Sequence, residues 1–534
     1  MMPGMHVAAG HASLRHRWLP ALVLLAMLLG ASPGAATAEF PAGDEGYHTY
    51  DEMHAAIVRA EAAHPDIVRV FSVGRSWEGR ELWAAEVSDR VGTNEGEPEV
   101  LLDGLHHGNE HMSAEMTLAV FRWLTDGYGV DPRITRIVDT RRIWIVFMVN
   151  PDGGEYDIAD GRYVGWRRNR QPTPGTDLIG TDVNRNYGFK WGCCGGASSD
   201  PASGRFAGPS PFSAPEARAM ADFMLSRVAD GRQRIGVHIS FHTSGRLVMY
   251  PYGFTRVDVP PQMTALDQRT FVAIAAAMAG TNGYRPQQAS DLYISSGTFG
   301  SFSYARHRTF AFVFELTSAA NPPDERIPRE TRRNREAVLS LLELADCPYR
   351  AIGKEAAWCG PFADDLEIPR GWTVDPDGTD TATDGRWVRG VPRPDPYQRP
   401  DATSGQSVLV TGRPAGADVD GGRTTVRSAT FGLPDGKASA LRLRAWVGLD
   451  AAAGADDGLV IRIVDAGGAP IGDPLLVVTG DGTERPPAWR WLTVDLPPGT
   501  AGRRVAIELV ATDATADGDA TVEAAVDDVR VVTR

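Results

Sequence analysis

Near residue 350 the texture of the chain changes, and this change bounds what it can fold into. Before it, apolar runs of strand length alternate with helical stretches. After Cys359 helical periodicity stops, and Asp, Gly, Pro and Thr punctuate short alternating runs at 407–411, 440–449, 459–464, 475–478, 491–495, 505–509 and 522–532. Alternating strands and helices predict an α/β fold, a mixed and largely parallel sheet flanked by helices. Short punctuated strands predict an all-β sandwich, jelly-roll-like, behind it. A chain of 534 residues exceeds one ordinary core. The expected organisation is a targeting segment at 1–38, an α/β domain at 39–347, a linker at 348–361 and a β-sandwich at 362–534.

Within the α/β part, Thr49 and Glu52 have the spacing of a capping box, opening a helix to about residue 63. Ser113 is expected to cap a helix running to about 124, and Ser213 with Glu216 reads as a second capping box. Strands are expected at 68–73, 82–87, 100–105, 143–149, 235–241 and 309–316, and further helices near 264–279 and 329–344. Residues 150–212, rich in Gly, Pro, Asn and Arg, form a long irregular excursion, which is where function usually lies.

A formal net charge of -14 excludes a basic nucleic-acid surface. Arg15, His16 and Arg17 precede an apolar run at 19–29 that is too short to span a bilayer, and Ala36-Thr37-Ala38 supplies small residues. These are the parts of a signal peptide cleaved after Ala38. No later run is long and apolar enough for a membrane helix, so the expected product is secreted, extracellular and without stable membrane association. Export permits disulfides. Of the four cysteines, Cys347 with Cys359 is the local pairing; Cys193 and Cys194 then form a vicinal disulfide or remain two thiols.

The candidate chemistry begins at His107-Gly108-Asn109-Glu110, a His and a carboxylate three apart at the end of a buried strand. His242 ends the next candidate strand. Two His and one Glu leave zinc an open position, which is the catalytic type of site. Two histidines compete: His106, whose side chain should point away from that of His107, and His238, four before His242 and deeper in its strand. Glu315 closes an apolar strand, where a carboxylate needs a partner: either a salt bridge or a place beside a metal as general base.

Taken together these residues resemble the zinc metallocarboxypeptidases of the carboxypeptidase A type, over about residues 44–346, with a likeness to the secreted, broad-specificity bacterial branch at Gly192-Cys193-Cys194-Gly195-Gly196. The resemblance implies one zinc per chain, held by His107, Glu110 and His242. Trp166-Arg167-Arg168-Asn169-Arg170 is similar to a family segment in which Arg167 polarises the scissile carbonyl. Asp182-Val183-Asn184-Arg185-Asn186 is similar to the motif whose Asn184 and Arg185 grip the substrate's terminal carboxylate. Tyr293 matches the tyrosine that closes over substrate, and Glu315 matches the catalytic glutamate. The implied partners are peptides and proteins with a free C-terminal carboxylate.

Asn109 and Ser244 depart from the animal digestive enzymes, which carry arginine and tyrosine there, and so bear on outer subsites. Gly300 stands where basic-specific members place an acid, which implies a preference for apolar or aromatic C-terminal residues. The short stretch between Ala38 and the start of the resemblance leaves no room for a globular propeptide. The rival readings are a peptidoglycan stem-peptide hydrolase on the same fold and a non-catalytic binding protein. For the β part, similarity to modules appended to secreted bacterial peptidases implies a stabilising role or binding of carbohydrate or cell wall. Asp375, Asp377, Asp380, Asp527 and Asp528 supply oxygens suited to Ca2+.

Overall fold

The computed structural model describes residues 38–229, 231–393, 402–414, 417–514 and 520–533. The targeting segment read at 1–38 lies outside these residues except for Ala38.

Eight strands build the first sheet: β1 Val68–Arg75, β2 Glu81–Val87, β3 Glu99–Asp103, β4 Arg142–Val146, β5 Ile235–Thr243, β6 Leu247–Tyr250, β7 Arg285–Gln288 and β8 Phe310–Leu316. Their order is β1-β2-β4-β3-β5-β8-β6-β7. The centre is parallel: β4 with β3, β3 with β5, and β5 with β8. The pairs β1–β2, β2–β4 and β6–β8 are antiparallel. Every residue of β3 and β4 is buried, as helices on both faces of a parallel sheet require. The core of this part runs from Phe40 to Ala345.

The helices follow local signals unevenly. Thr49 and Glu52 close a full capping box on the helix Tyr50–Ala63. Ser113 does not cap: the helix His111–Gly127 starts at Glu110 without a side-chain cap. The Ser113 hydroxyl instead donates to the Glu110 carbonyl and accepts from the Leu105 N–H. Nor do Ser213 and Glu216 form a capping box. That helix, Pro215–Ser226, begins behind Ala214, and Glu216 turns inward to accept from the Trp77 N–H and the Asn169 amide. The helix Pro132–Thr140, capped by Asp131, has no counterpart among the sequence expectations. The excursion 150–212 contains the short helix Pro151–Asp157 and a single 3-10 turn, Val183–Arg185, and is otherwise irregular.

From Phe362 onward two antiparallel sheets pack on one core that ends at Val531. The first runs Trp387–Gly390, Val408–Thr411, Val522–Thr533, Ser439–Leu449, Arg490–Asp495; the second runs Thr373–Val374, Gly422–Arg427, Arg504–Asp513, Gly458–Asp465, Leu476–Thr479. Along Ser439–Leu449, Leu441, Leu443, Ala445 and Val447 enter that core while Arg442 and Arg444 do not, the alternation a sheet buried on one face must show. Of the carboxylates read as calcium ligands, Asp375 accepts from the Thr379 and Asp380 N–H groups, Asp527 from those of Thr403 and Ser404, and Asp377 pairs with Arg427. Both cysteine pairs are disulfides, Cys193–Cys194 and Cys347–Cys359.

Candidate metal centre

Register delivers the site. Across the parallel pair β5–β8, Glu315 lies opposite His242; across β3–β5, Asp103 lies opposite Ser240. Side chains alternate along a strand, so His238, Ser240 and His242 share one face. The chain leaves β3 at Asp103 and carries His107 and Glu110 to the start of the helix His111–Gly127. The turn between them packs tightly on the excursion. A Cβ on Gly108 would stand 2.4 Å from the Gly153 carbonyl carbon and 2.7 Å from the Trp166 oxygen.

His107, Glu110 and His242 are buried and converge, their ligand atoms all within 4.8 Å of one another. His107 Nδ1 is 2.8 Å from Glu110 Oε1, His242 Nδ1 is 2.9 Å from Glu110 Oε2, and the two Nδ1 atoms are 3.2 Å apart. Tetrahedral zinc with bonds of about 2.0–2.1 Å separates two ring nitrogens by about 3.3 Å. The donor set fits that ion. Burial opposes ionisation of Glu110, but the two imidazoles hold its carboxyl well below the usual range.

The outer partners set the tautomers. If both Nδ1 atoms are to ligate, both Nε2 atoms carry hydrogen and need acceptors. His107 Nε2 lies 3.3 Å from Asp182 Oδ1. His242 Nε2 lies 3.2 Å from the Ser240 oxygen, whose own proton goes to Asp103 Oδ1 at 2.7 Å. Asp103 is buried with His106 and His238 bound to it, and they hold it ionised against burial. His106 also reaches the Tyr187 hydroxyl at 2.9 Å. The two competing histidines therefore belong to the support of the site. Asp103, Asp182 and Ser240 were not singled out from sequence, though a carboxylate closing the apolar run of residues 100–102 marks Asp103.

Arg167 bonds through Nε to Asp182 Oδ2 at 2.9 Å, and its Nη1 is 3.5 Å from Glu110 Oε1. Its Nη2 is buried and has no hydrogen-bond partner. Burial works against Asp182 as an anion, yet Arg167, Arg185 and His107 keep its carboxyl well below the ordinary range. Glu315 is partly exposed. Desolvation and then the neighbouring Glu110 carboxylate push it up to about 7.

Arg185 is 2% exposed. Its Nε donates to the Gly196 carbonyl at 3.2 Å, Nη1 to the Asn184 carbonyl at 2.7 Å and Nη2 to the Tyr293 hydroxyl at 3.1 Å. Tyr293 is 40% exposed. The Asn184 side chain is turned toward the metal ligands: its amide nitrogen sits 3.2 Å from His242 Nε2, and its oxygen accepts from the Phe299 N–H. The structure thus brings all eight sequence-predicted residues together, with Asn184 between the candidate metal ligands and Arg185.

The family model for zinc carboxypeptidases matches residues 53–337. The chain belongs to this family. A zinc carboxypeptidase of Saccharothrix mutabilis subsp. capreolus is 41% identical over 336 residues, covering 60% of this chain and 75% of the relative. Carboxypeptidase A1 of Rattus norvegicus is 32% identical over 307 residues, covering 56% and 70%. The crystal structure of thrombin activatable fibrinolysis inhibitor superposes with a TM-score of 0.51 at 25% identity, covering 56% of this chain and 74% of that one. The protein is a zinc metallocarboxypeptidase, and the fold of its first sheet is that of the family.

Proposed function

We propose that this zinc carboxypeptidase is a secreted exopeptidase that removes single residues from peptides bearing a free C-terminal carboxylate, preferring apolar or aromatic ones. The observation that carries this reading is the position of Arg185, buried beside the metal-ligand triad and held by carbonyl and hydroxyl oxygens. Among the described residues no carboxylate is within ion-pair distance of it. A guanidinium so placed is suited to a terminal carboxylate, which it can grip bidentately. An endopeptidase has no use for it.

Zinc held by His107, Glu110 and His242 would supply Lewis-acid polarisation of the scissile carbonyl and an acidified water. The chain's own residues do the rest. Glu315, its carboxyl pushed up by desolvation and then by the Glu110 carboxylate, takes the proton of the attacking water at its carboxylate and returns it to the leaving amine. The unpartnered Nη2 of Arg167 is a donor available to the developing oxyanion. Asn184 and Tyr293 complete the clamp. The apolar preference is supported at Gly300, where an added Cβ would have Val313 Cγ2 at 3.7 Å and Ala311 Cβ at 3.9 Å as its near neighbours. We read residues 39–347 as the catalytic domain, 348–361 as its linker and 362–534 as an accessory module. Secretion rests on the N-terminal sequence. Among the described residues no helix is long and apolar enough to cross a membrane.

The test is a peptide panel varied at the last residue, with each member offered as free acid and as amide. Amidation should reduce kcat/KM by at least about 100-fold, the worth of one to two charge-assisted hydrogen bonds. Comparable cleavage of both forms, or cuts within the chain, would replace the exopeptidase reading. Preference for D-residues in the panel would favour cell-wall stem peptides.

A further inference from the structure

The Cys193–Cys194 disulfide takes no part in the chemistry above, yet it lies beside the clamp. We propose that the loop it closes is a positioning device for Arg185, setting how tightly the substrate carboxylate is held; the proposal rests on the clamp reading of Arg185.

Four contacts converge on this loop. Arg185 Nε is held by the carbonyl of Gly196, two residues beyond the disulfide. The Gly196 N–H in turn donates to the Cys193 carbonyl at 3.3 Å. The same carbonyl accepts from the Ser296 hydroxyl at 2.9 Å, so the loop also grips the segment that follows Tyr293. Gly196 lies flat against that segment: a Cβ on it would be 2.6 Å from the Ser295 Cα. One short loop therefore touches both groups expected to hold the carboxylate, Arg185 through Gly196 and the Tyr293 segment through Ser296.

Left to its backbone, such a loop would be a poor support. Gly192, Cys194 and Gly195 all have positive φ, at 67°, 68° and 76°. Glycine populates that region freely, but it also populates every other region, and a non-glycine residue avoids it. The disulfide closes a small covalent ring around the peptide bond between Cys193 and Cys194 and removes most of that freedom. Ordering a binding group before substrate arrives lowers the entropy lost on binding, so it acts on affinity. His242 and Glu315 stand on strands elsewhere, so turnover should not notice.

The test is the double variant Cys193→Ser/Cys194→Ser, with zinc content and circular dichroism checked first. The expected result is a KM for a free-acid peptide raised about tenfold, kcat within about twofold, and an acid-over-amide preference reduced about tenfold. Cys347→Ser/Cys359→Ser should leave KM unchanged. Ser296→Ala should raise KM less, and its effect should not add to that of the cysteine variant, because both act through one loop. If the double variant does not fold, the wild-type enzyme titrated with a phosphine reductant must show the same rise in KM. Unchanged KM and unchanged acid preference in a zinc-replete variant, or a fall in kcat alone, would overturn the proposal. A wild-type enzyme indifferent to amidation would instead overturn the clamp reading beneath it.

Discussion

The two halves of the candidate site are built by different means. His242 and Glu315, the proposed metal ligand and base, stand opposite each other on hydrogen-bonded strands, and a buried network of Asp103, Ser240, His106 and His238 backs His242. Arg167 and Arg185, proposed to face the substrate, come from an excursion with little regular structure. There, position depends on individual ties: Asp182 to Arg167, Gly196 to Arg185, Glu216 to Asn169. His242 and Glu315 cannot move without breaking the sheet, whereas Arg167 and Arg185 sit on a segment that can differ in length and sequence at small cost to the fold.

That contrast can be broken from either side. The largest effect belongs to the ligands. His107→Ala or His242→Ala should lose zinc and with it all activity, whereas His106→Ala and His238→Ala should keep the metal; metal analysis of the purified variants checks this. Next comes Glu315→Gln, which should keep zinc and KM while kcat falls by about 10²–10⁴-fold. Comparable turnover would remove Glu315 from its role.

On the loop side, Arg185→Ala should lower kcat/KM for free acids by about 100-fold or more and leave amides as they were, so that the two forms are cut alike. The strand-side support should show a milder effect. Ser240→Ala removes the acceptor for His242 Nε2–H, and zinc affinity should drop about 10–100-fold in a chelator competition.

The smallest effect is one of stability. Burial pushes Glu216 up to about 7, so its proton is held more tightly in the folded than in the unfolded chain. Its contribution is fully present below the ordinary carboxyl range and is lost as pH rises through about 7. Glu216→Gln removes the charge but keeps only one of the two acceptor oxygens, setting an amide donor against the Trp77 N–H or the Asn169 amide. It should lower Tm at acidic pH, and the difference from wild type should shrink as pH rises through about 7. Equal pH dependence in both proteins would mean that Glu216 is not the titrating tie.

Much of this was legible in one dimension because its physics is local. Strand alternation shows in apolar spacing, and the Thr49–Glu52 capping box is a contact three residues long. The ligand pair His107 and Glu110 lies within a single turn. Where a residue had a distant alternative, the local reading failed. Ser113 left its capping place for the Leu105 N–H, and Glu216 left its own for Trp77 and Asn169, more than forty residues away in sequence. Buried donors must be satisfied, and the fold satisfied these with the nearest side chain in space.

What the sequence determined by itself was therefore the set of parts: an α/β region before a β-rich one, two His and one Glu suited to zinc, a carboxylate closing an apolar strand, and arginines within a long irregular excursion. What only the tertiary structure decided was their mutual geometry. The register of β5 against β3 and β8 placed Ser240 beside Asp103 and Glu315 beside His242. It made supports of His106 and His238, while packing of the long excursion brought the Gly196 carbonyl, two residues past the Cys193–Cys194 disulfide, to Arg185. The reason is that pairing across a sheet and packing of a long loop join residues separated by scores of positions, and no local pattern encodes which partner each will meet.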